Sequence, residues 1–231
     1  MNGEYRFDTA AELATQLCNR VVDRLSAALA ARGAASMIVS GGKTPQALFE
    51  RLARVPLDWP RIAIRLADER WVDTDDPSSN TAFVREHLLK SMAAGAKFVP
   101  MKNAAATPAL GAADAWLTYA QLQRPFDLVL LGMGDDGHTA SLFPGNANLP
   151  EALDPRAPPG CVAMQAPVAP HARLSLNLAA LLDAREIIVS STGPSKWRVY
   201  NAARLAGDDV EYPVRAVLRQ PGTPVDFFWA P

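Results

Sequence analysis

The sequence has few cysteines, almost no net charge and no long hydrophobic run. Its 231 residues include two cysteines, Cys18 and Cys161, and no CxxC pair, which argues against a disulfide framework and a cysteine zinc site. The formal net charge is −1, so the basic stripe that a nucleic-acid or membrane-surface partner would need is missing. No run of roughly 18 apolar residues is present, which argues against a membrane span.

The first residues also lack targeting features. MNGEYRFDTAAELATQL is polar and acidic, without a signal-peptide hydrophobic region or transit-peptide character. The lack of these features, together with two cysteines that are expected to be reduced, predicts a cytoplasmic protein. Hydrophobic residues make up 49% and charged residues 20%, which is ordinary for a globular protein with a core. Since composition does not change along the chain, we expect a single domain over residues 1–231.

Strand-like and helix-like segments alternate nearly throughout. The helices are predicted at 9–32, from Thr44, and at 80–90, 108–122 and 194–206. The strands are predicted at 36–40, 62–67, 127–131, 173–176, 186–191 and 225–229. The alternation predicts an α/β fold whose largely parallel sheet is covered by helices on both faces. The Pro- and Ala-rich stretch 149–170 is expected to be a long loop.

The unusual polar clusters all follow predicted strands. They are SGGKT after SMIVS, DERWVDTDD after IAIRLA, GMGDDGH after DLVLL, and TGPSK after EIIVSS. Ligands of open α/β sheets bind at the carboxyl ends of the strands. We therefore expect the four clusters to converge on one edge of the sheet.

The first cluster has the composition of an anion-binding turn. Gly41 and Gly42 let the backbone turn tightly, and the helix expected to begin near Thr44 directs its free N–H groups at a ligand. Phosphate is the expected ligand of such a turn. The segment is not a P-loop, because the first glycine of that motif would fall at Met37. A plain strand–turn–helix connection is the alternative.

The third cluster, Gly132–Gly137, formally matches GxGxxG but does not predict a dinucleotide site. Pro144 and Gly145 end any following helix within two turns, and two aspartates in the loop would repel a pyrophosphate. His138 follows directly. A carboxylate two residues away can orient its imidazole and raise its basicity, as a general base requires. An ordinary capping loop is the alternative.

Other catalytic and metal motifs are absent from the sequence. There is no GxSxG or HExxH, so a hydrolase of this sequence is expected to use water as the direct nucleophile. Asp73, Asp75 and Asp76 have metal-like spacing, but the Gly and Glu of a calcium loop are missing. Of the remaining histidines, His87 is expected on a helix as a surface or packed residue, and His171 lies in a loop.

Taken together, SGGKTP, DERWVDTDDPSSN and LGMGDDGHTASLFPG, in this order, resemble the 6-phosphogluconolactonase family. PHARLSLN followed by EIIVSSTGPSKW extends the resemblance over residues 36–199, and PVRAVLRQPGTPVDFFWAP is similar to the usual ending of the family. The resemblance implies a three-layer α/β/α fold shared with sugar-phosphate isomerases and deaminases. It also implies hydrolysis of 6-phospho-D-glucono-1,5-lactone in the oxidative pentose phosphate pathway, with no metal and no organic cofactor.

The resemblance further implies a phosphate site. Its expected members are Ser40, Gly41, Gly42, Thr44, Arg173 and Lys196. Two positions, Lys43 and Trp197, depart from the family pattern and receive no role.

The implied catalytic residues lie in the second and third clusters. His138 would act as general base on water, and Asp136 would orient it. Arg70, after Asp68 and Glu69, would place or polarise the lactone, with Glu69 either catalytic or structural.

Two other functions compete with the lactonase interpretation. Glucosamine-6-phosphate deaminases have a similar loop that continues after the histidine with an Asn-Glu pair, whereas here Thr139 and Ala140 follow. A sugar-phosphate-binding regulatory module would not need the base, yet His138 and its aspartates are present, and no helix-turn-helix accompanies them. The expected partner is therefore a small phosphorylated sugar lactone, not a nucleic acid or a membrane, bound by a monomer or weak homo-oligomer.

Overall fold

The computed structural model describes residues 3–42, 44–166 and 171–231. Within these ranges the strands are β1 (Gly3–Arg6), β2 (Ala35–Val39), β3 (Ile62–Leu66), β4 (Asp68–Arg70), β5 (Lys97–Phe98), β6 (Leu128–Gly132), β7 (Cys161–Gln165), β8 (Ala172–Leu176), β9 (Ile187–Thr192) and β10 (Val225–Ala230). The α-helices are α1 (Ala10–Arg32), α2 (Gln46–Leu52), α3 (Asn80–His87), α4 (Pro108–Ala120), α5 (Leu149–Ala152), α6 (Leu178–Leu182), α7 (Pro194–Ala203) and α8 (Val214–Arg219).

A seven-stranded sheet forms the centre of the fold. Its strand order is β1-β10-β9-β6-β2-β3-β5, and every neighbouring pair is parallel. Helices flank this sheet, so the predicted three-layer α/β/α fold is confirmed. No helix in the described part of the chain has the length and apolar character to cross a membrane.

The strand order reverses between β2 and β6. From β2 the chain proceeds to β3 and β5 on one side, and it then returns to β6 and continues through β9 and β10 on the other side. The loops that leave β2 and β6 therefore run apart and open a crevice at the carboxyl ends of these strands, where open α/β sheets bind ligands.

A second, antiparallel sheet has the order β4-β8-β7 and corrects two expectations. The predicted strand 173–176 is not part of the parallel sheet, because β8 pairs with Asp68–Arg70, a short strand that the sequence did not predict. The stretch 149–170 is not one long loop, because it contains α5 and β7. These elements are short, and β4 pairs with a strand far along the chain, so local periodicity carries little sign of them. Residues 167–170 of that stretch lie outside the described residues.

The first helix shows how local sequence determines an element. The Thr9 side chain accepts a hydrogen bond from the Glu12 N–H at the start of α1, and Gly33 ends the helix in the left-handed conformation with φ 73°. Leucines and valine at four-residue spacing form its buried face, and they are Leu13, Leu17, Val21 and Leu25. This face packs on β2, β6 and β10 and forms part of the hydrophobic core.

Helix α2 begins later than the sequence predicted. It starts at Gln46, with Pro45 as its N-cap, and not at Thr44. The proline ring disfavours helical conformation at the residue before it, which keeps Thr44 in the preceding turn. The helix also ends within seven residues. The dipole of α2 is therefore expected to contribute less to anion binding than the dipole of the longer, earlier helix that the sequence predicted.

Candidate functional site

A cavity of about 350 Å³ opens at the crevice between the loops after β2 and β6. Its lining includes members of all four polar clusters of the sequence. The expected site residues that line it are Ser40, Gly41, Gly42, Thr44, Asp68, Arg70, His138, Arg173 and Lys196. Asp136 and Glu69 are not among the lining residues, and each contacts one that is. Lys43 lies outside the described residues.

The loop after β2 brings backbone to the cavity. The Ser40 N–H donates to the Leu130 carbonyl at 3.0 Å, which ties the loop to β6. Gly42 has φ 96°, in the left-handed region that favours glycine. A side chain at Gly41 would meet Asn80 Oδ1 at 2.0 Å, so glycine is needed there because of a neighbouring side chain. The loop therefore presents main-chain groups and the Thr44 side chain at one wall of the cavity.

Two guanidinium groups lie side by side on the small sheet. Arg70 on β4 is directly opposite Arg173 on β8 in the antiparallel register. Arg173 is only 8% exposed, and its pKa is lowered first by burial and then by the charge of Arg70. Among the described residues neither side chain forms an ion pair, and Arg173 Nε has no hydrogen-bond partner. Like charges placed opposite each other cost free energy, which a bound anion would offset.

Arg70 and Arg173 together form one side of the cavity, called here the arginine wall. Glu69 lies behind the arginine wall and is fully buried. Its carboxylate accepts hydrogen bonds from the main-chain N–H groups of Arg70, Asn80 and Thr81 and from two hydroxyl groups, those of Ser79 and Thr81. Burial raises the pKa of Glu69, while the hydrogen bonds from Thr81, Asn80 and Arg70 oppose that rise. These contacts link the carboxylate to the N-terminus of α3 and to the Arg70 backbone, outside the cavity.

Asp68 connects the small sheet to the loop after β6. Its Oδ2 accepts a hydrogen bond from the buried Ser141 hydroxyl at 2.6 Å. The Ser141 N–H in turn donates to Ser175 Oγ at 3.2 Å on β8. Because Asp68 also lines the cavity, this contact ties the strand that carries Arg70 to the loop that carries His138.

His138 and Asp136 form a hydrogen-bonded pair in the loop after β6. Nδ1 of the imidazole lies 2.6 Å from Asp136 Oδ1, and the His138 ring is about one-third exposed toward the cavity. Partial burial raises the pKa of Asp136, but the hydrogen bonds and charge of His138 outweigh that rise, and the net shift is downward. An ionised carboxylate on Nδ1 places the proton there and leaves Nε2 as the acceptor.

The geometry of this loop depends on two glycines. A side chain at Gly134 would come within 2.2 Å of His138 Nδ1, and one at Gly137, where φ is 79°, would come within 2.4 Å of Tyr212. The Phe143 ring packs against the imidazole with 4.6 Å between centroids. The imidazole is therefore positioned by contacts on several sides.

Lys196 reaches the cavity from the start of α7. Gly193, with φ 92°, precedes this helix, and the Ser195 hydroxyl donates to Asp135 Oδ1 at 2.7 Å. This contact ties α7 to the histidine loop. Trp197 faces elsewhere, since its ring packs 4.8 Å from that of Trp229 and it is not a lining residue.

The sequence did not single out every lining residue. Asn80 lines the cavity, although the pattern DPSSN marked it only as part of a helix start. The helix predicted from residue 80 is confirmed, and the Ser79 side chain caps it by accepting hydrogen bonds from the Thr81 and Ala82 N–H groups. The remaining lining residues lie within the quoted motifs but received no role from the sequence, and they are Pro45, Gly132, Met133, Gly134, Ala140 and Phe143.

The other histidines lie outside the cavity. His87 packs against Phe83 on α3 and contacts Glu50 at 3.1 Å, which agrees with a packed helix residue. His171 lies in an adjoining depression that shares Arg70 and Arg173 with the cavity. In the described residues, no group of three or more His, Cys, Asp and Glu side chains is arranged to hold a metal ion.

Comparison with known proteins places the chain among sugar-phosphate enzymes. The family model "Glucosamine-6-phosphate isomerases/6-phosphogluconolactonase" matches residues 8–229. A 6-phosphogluconolactonase of Rhizobium meliloti is 45% identical over 225 residues, 97% of each chain. The crystal structure of a 6-phosphogluconolactonase from Shewanella baltica superposes with a TM-score of 0.96 at 44% identity, covering 100% of this chain and 98% of that one. A monomeric glucosamine-6-phosphate deaminase, 17% identical with a TM-score of 0.81 over 99% of this chain and 97% of its own, shares the fold.

Proposed function

The chain belongs to the family of glucosamine-6-phosphate isomerases and 6-phosphogluconolactonases, and from this membership we propose that it hydrolyses 6-phospho-D-glucono-1,5-lactone to 6-phosphogluconate. It is an enzyme of the carboxylic ester hydrolase class. The proposal further treats residues 1–231 as one catalytic domain that acts in the cytoplasm as a monomer or weak homo-oligomer.

The observation that carries the proposal is one cavity with a base and an anion site. The imidazole of His138, held by Asp136 at 2.6 Å, shares the cavity with the unpaired cations Arg70 and Arg173. Hydrolysis of a phosphorylated ester needs a base for the water and cations for the phosphate. Phosphate binding by Arg173, Lys196 and the loop Ser40–Thr44 would hold the substrate, while the base acts on water at the carbonyl.

In the proposed mechanism the first step is attack by water. His138 Nε2 takes a proton from water as its oxygen adds to the lactone carbonyl, which typically contributes about 10²–10⁴-fold in rate. Asp136 keeps the proton on Nδ1 and stabilises the imidazolium that forms. The carbonyl oxygen becomes an oxyanion, and the Arg70 guanidinium is the candidate donor to it.

The second step opens the ring. The tetrahedral intermediate collapses, the bond from the carbonyl carbon to the ring oxygen breaks, and His138 returns its proton to that oxygen. The phosphate does not react. Its binding energy holds the distant carbonyl against the base, which is how remote contacts contribute to the rate of a reacting centre.

The deaminase of the same family is the second candidate. The residues after His138 are Thr139 and Ala140, and Ala140 lines the cavity where a carboxylate would be wanted for proton transfer between sugar carbons. This observation favours hydrolysis over isomerisation. A regulatory module without catalysis would have no use for the His138–Asp136 pair.

The test is direct hydrolysis of the lactone. 6-Phosphogluconolactone is generated in situ, and its disappearance is followed with and without the protein after subtraction of spontaneous hydrolysis. His138→Ala is expected to lose about 10²–10⁴-fold in kcat, and Arg173→Ala to raise KM. His87→Ala is the matched control, because that histidine lies outside the cavity. No acceleration by folded protein would reject the proposal and direct the assay to amino-sugar phosphates.

A further inference from the structure

Asn80 has no assigned role, yet it contacts three parts of the proposed site. It is 2% exposed and is the first residue of α3. Its Oδ1 accepts a hydrogen bond from Arg70 Nη1 at 2.5 Å, and its Nδ2 donates to the Asp68 main-chain carbonyl at 2.8 Å. Its Oδ1 also lies so close to Gly41 that residue 41 has no room for a side chain. One side chain thus joins the arginine wall to the loop after β2.

The two hydrogen-bond acceptors of the Arg70 guanidinium are uncharged. Nη1 donates to the Ser78 carbonyl at 2.9 Å and to Asn80, and in the described part of the chain no carboxylate lies within ion-pair distance of the guanidinium. Both hydrogens of Nη1 are thereby engaged. The other edge of the guanidinium keeps its donors, and the full positive charge remains available on the cavity side.

We infer that Asn80 is a positioning residue for Arg70. The neutral side-chain oxygen of Asn80 holds the Arg70 guanidinium toward the cavity, so that the positive charge of Arg70 acts on the substrate and not on a protein carboxylate. The inference rests on the proposed function for its chemistry. An aspartate of the same size would also hold Arg70, but its charge would neutralise the guanidinium. An aspartate would also lack the Nδ2 group that donates to the Asp68 main-chain carbonyl, and it would place a carboxylate oxygen against that carbonyl oxygen. The amide supplies both an uncharged acceptor and a donor.

The kinetic test is a double-mutant cycle between Asn80→Asp and Arg70→Ala. If Arg70 stabilises the oxyanion, Arg70→Ala is expected to lower kcat by about 10²-fold, and Asn80→Asp to lower kcat in the same direction with a smaller change in KM. In the Arg70→Ala background, Asn80→Ser, which adds no charge, is expected to cause no further loss, since residue 80 then has nothing to position. Losses that multiply, or wild-type kcat in Asn80→Asp, would overturn the inference.

Asn177→Asp is the matched control. Asn177 is also buried at a helix start, where its side chain accepts from the Ala180 N–H and donates to the Pro158 carbonyl, and it does not line the cavity. It is expected to lower the melting temperature without lowering kcat. A loss of kcat equal to that of Asn80→Asp would attribute both effects to general destabilisation and reject the positioning role. If Asn80→Asp does not fold, Asn80→Ser enters the same cycle.

Binding of inorganic phosphate separates this inference from the proposed function, because it needs no turnover. Because Arg70 lies opposite Arg173 in the register of β4 and β8, its charge also acts on an anion held at Arg173. Asn80→Ser, which adds no charge of its own, is therefore expected to weaken phosphate binding, measured by calorimetry, in the wild-type background and to leave it unchanged in the Arg70→Ala background. If the wild-type protein fails to hydrolyse the lactone, the proposed function is rejected, and the phosphate cycle still decides the role of Asn80. Equal weakening in both backgrounds would show that Asn80 does not act through Arg70.

Discussion

Gly134→Ala tests the placement of the proposed base with a single methyl group. The new methyl carbon would lie 2.2 Å from His138 Nδ1, 2.3 Å from Cε1 and 2.5 Å from Asp136 Oδ1, where ordinary contacts begin at 3.4 Å. The backbone of Gly134 is outside the left-handed region, so alanine is compatible with its conformation. The strain therefore falls on the imidazole and on its 2.6 Å hydrogen bond to Asp136.

The expected effect is large on rate and small on stability. The ring must move by roughly 1 Å, and a misplacement of that size costs about 100-fold in the rate of the chemical step. The ring is partly exposed and can turn toward the cavity, so the fold absorbs the methyl group at little cost. KM is expected to change little, because the Ser40–Thr44 loop, Arg173 and Lys196 are untouched.

The assay is the initial rate of lactone hydrolysis, corrected for the spontaneous reaction, together with a thermal melt of each variant. Gly160→Ala is the control, since a methyl group there meets only the Pro158 carbonyl at 3.8 Å and lies away from the cavity. It is expected to keep the wild-type rate. A wild-type kcat in Gly134→Ala would refute the argument that the Asp136–His138 geometry sets the rate.

Two further predictions concern the buried and paired carboxylates. In Glu69→Gln the new NH₂ group would face at least one main-chain N–H donor in either orientation of the amide, so the free energy of unfolding in urea is expected to fall by about 1–3 kcal/mol. An unchanged midpoint would contradict the buried-acceptor argument. Asp136→Asn keeps an acceptor for His138 but loses the charge, so kcat is expected to fall by less than the about 10²–10⁴-fold expected for His138→Ala. Because the pKa of Asp136 is held below its ordinary 3.8, the stability from this pair is present above that pH and is lost as pH falls through the lowered value. Melting temperatures at a series of acidic pH values should show this loss in the wild type and not in Asp136→Asn.

Local sequence signals were sufficient for the class of fold and for the convergence of the polar clusters on one cavity. Hydrophobic spacing identified α1 and the buried strands, because a helix or strand must turn a regular apolar face to the core. Glycines and charged residues after β2, β6 and β9 predicted the edge where a ligand would bind, since parallel strands end together. The apolar spacing and the polar clusters each involve residues close together in the chain, and the amino-acid sequence alone therefore determined them.

The tertiary structure decided which of those residues face the cavity. Only the pairing of β4 with β8 sets Arg70 opposite Arg173, and only the packing of α3 turns Glu69 away from the cavity and brings Asn80 into it. Asn80 and Gly41 are distant in the chain, yet the amide oxygen occupies the space of the missing side chain. Such contacts depend on the free energy of packing whole elements together, and no local periodicity encodes them.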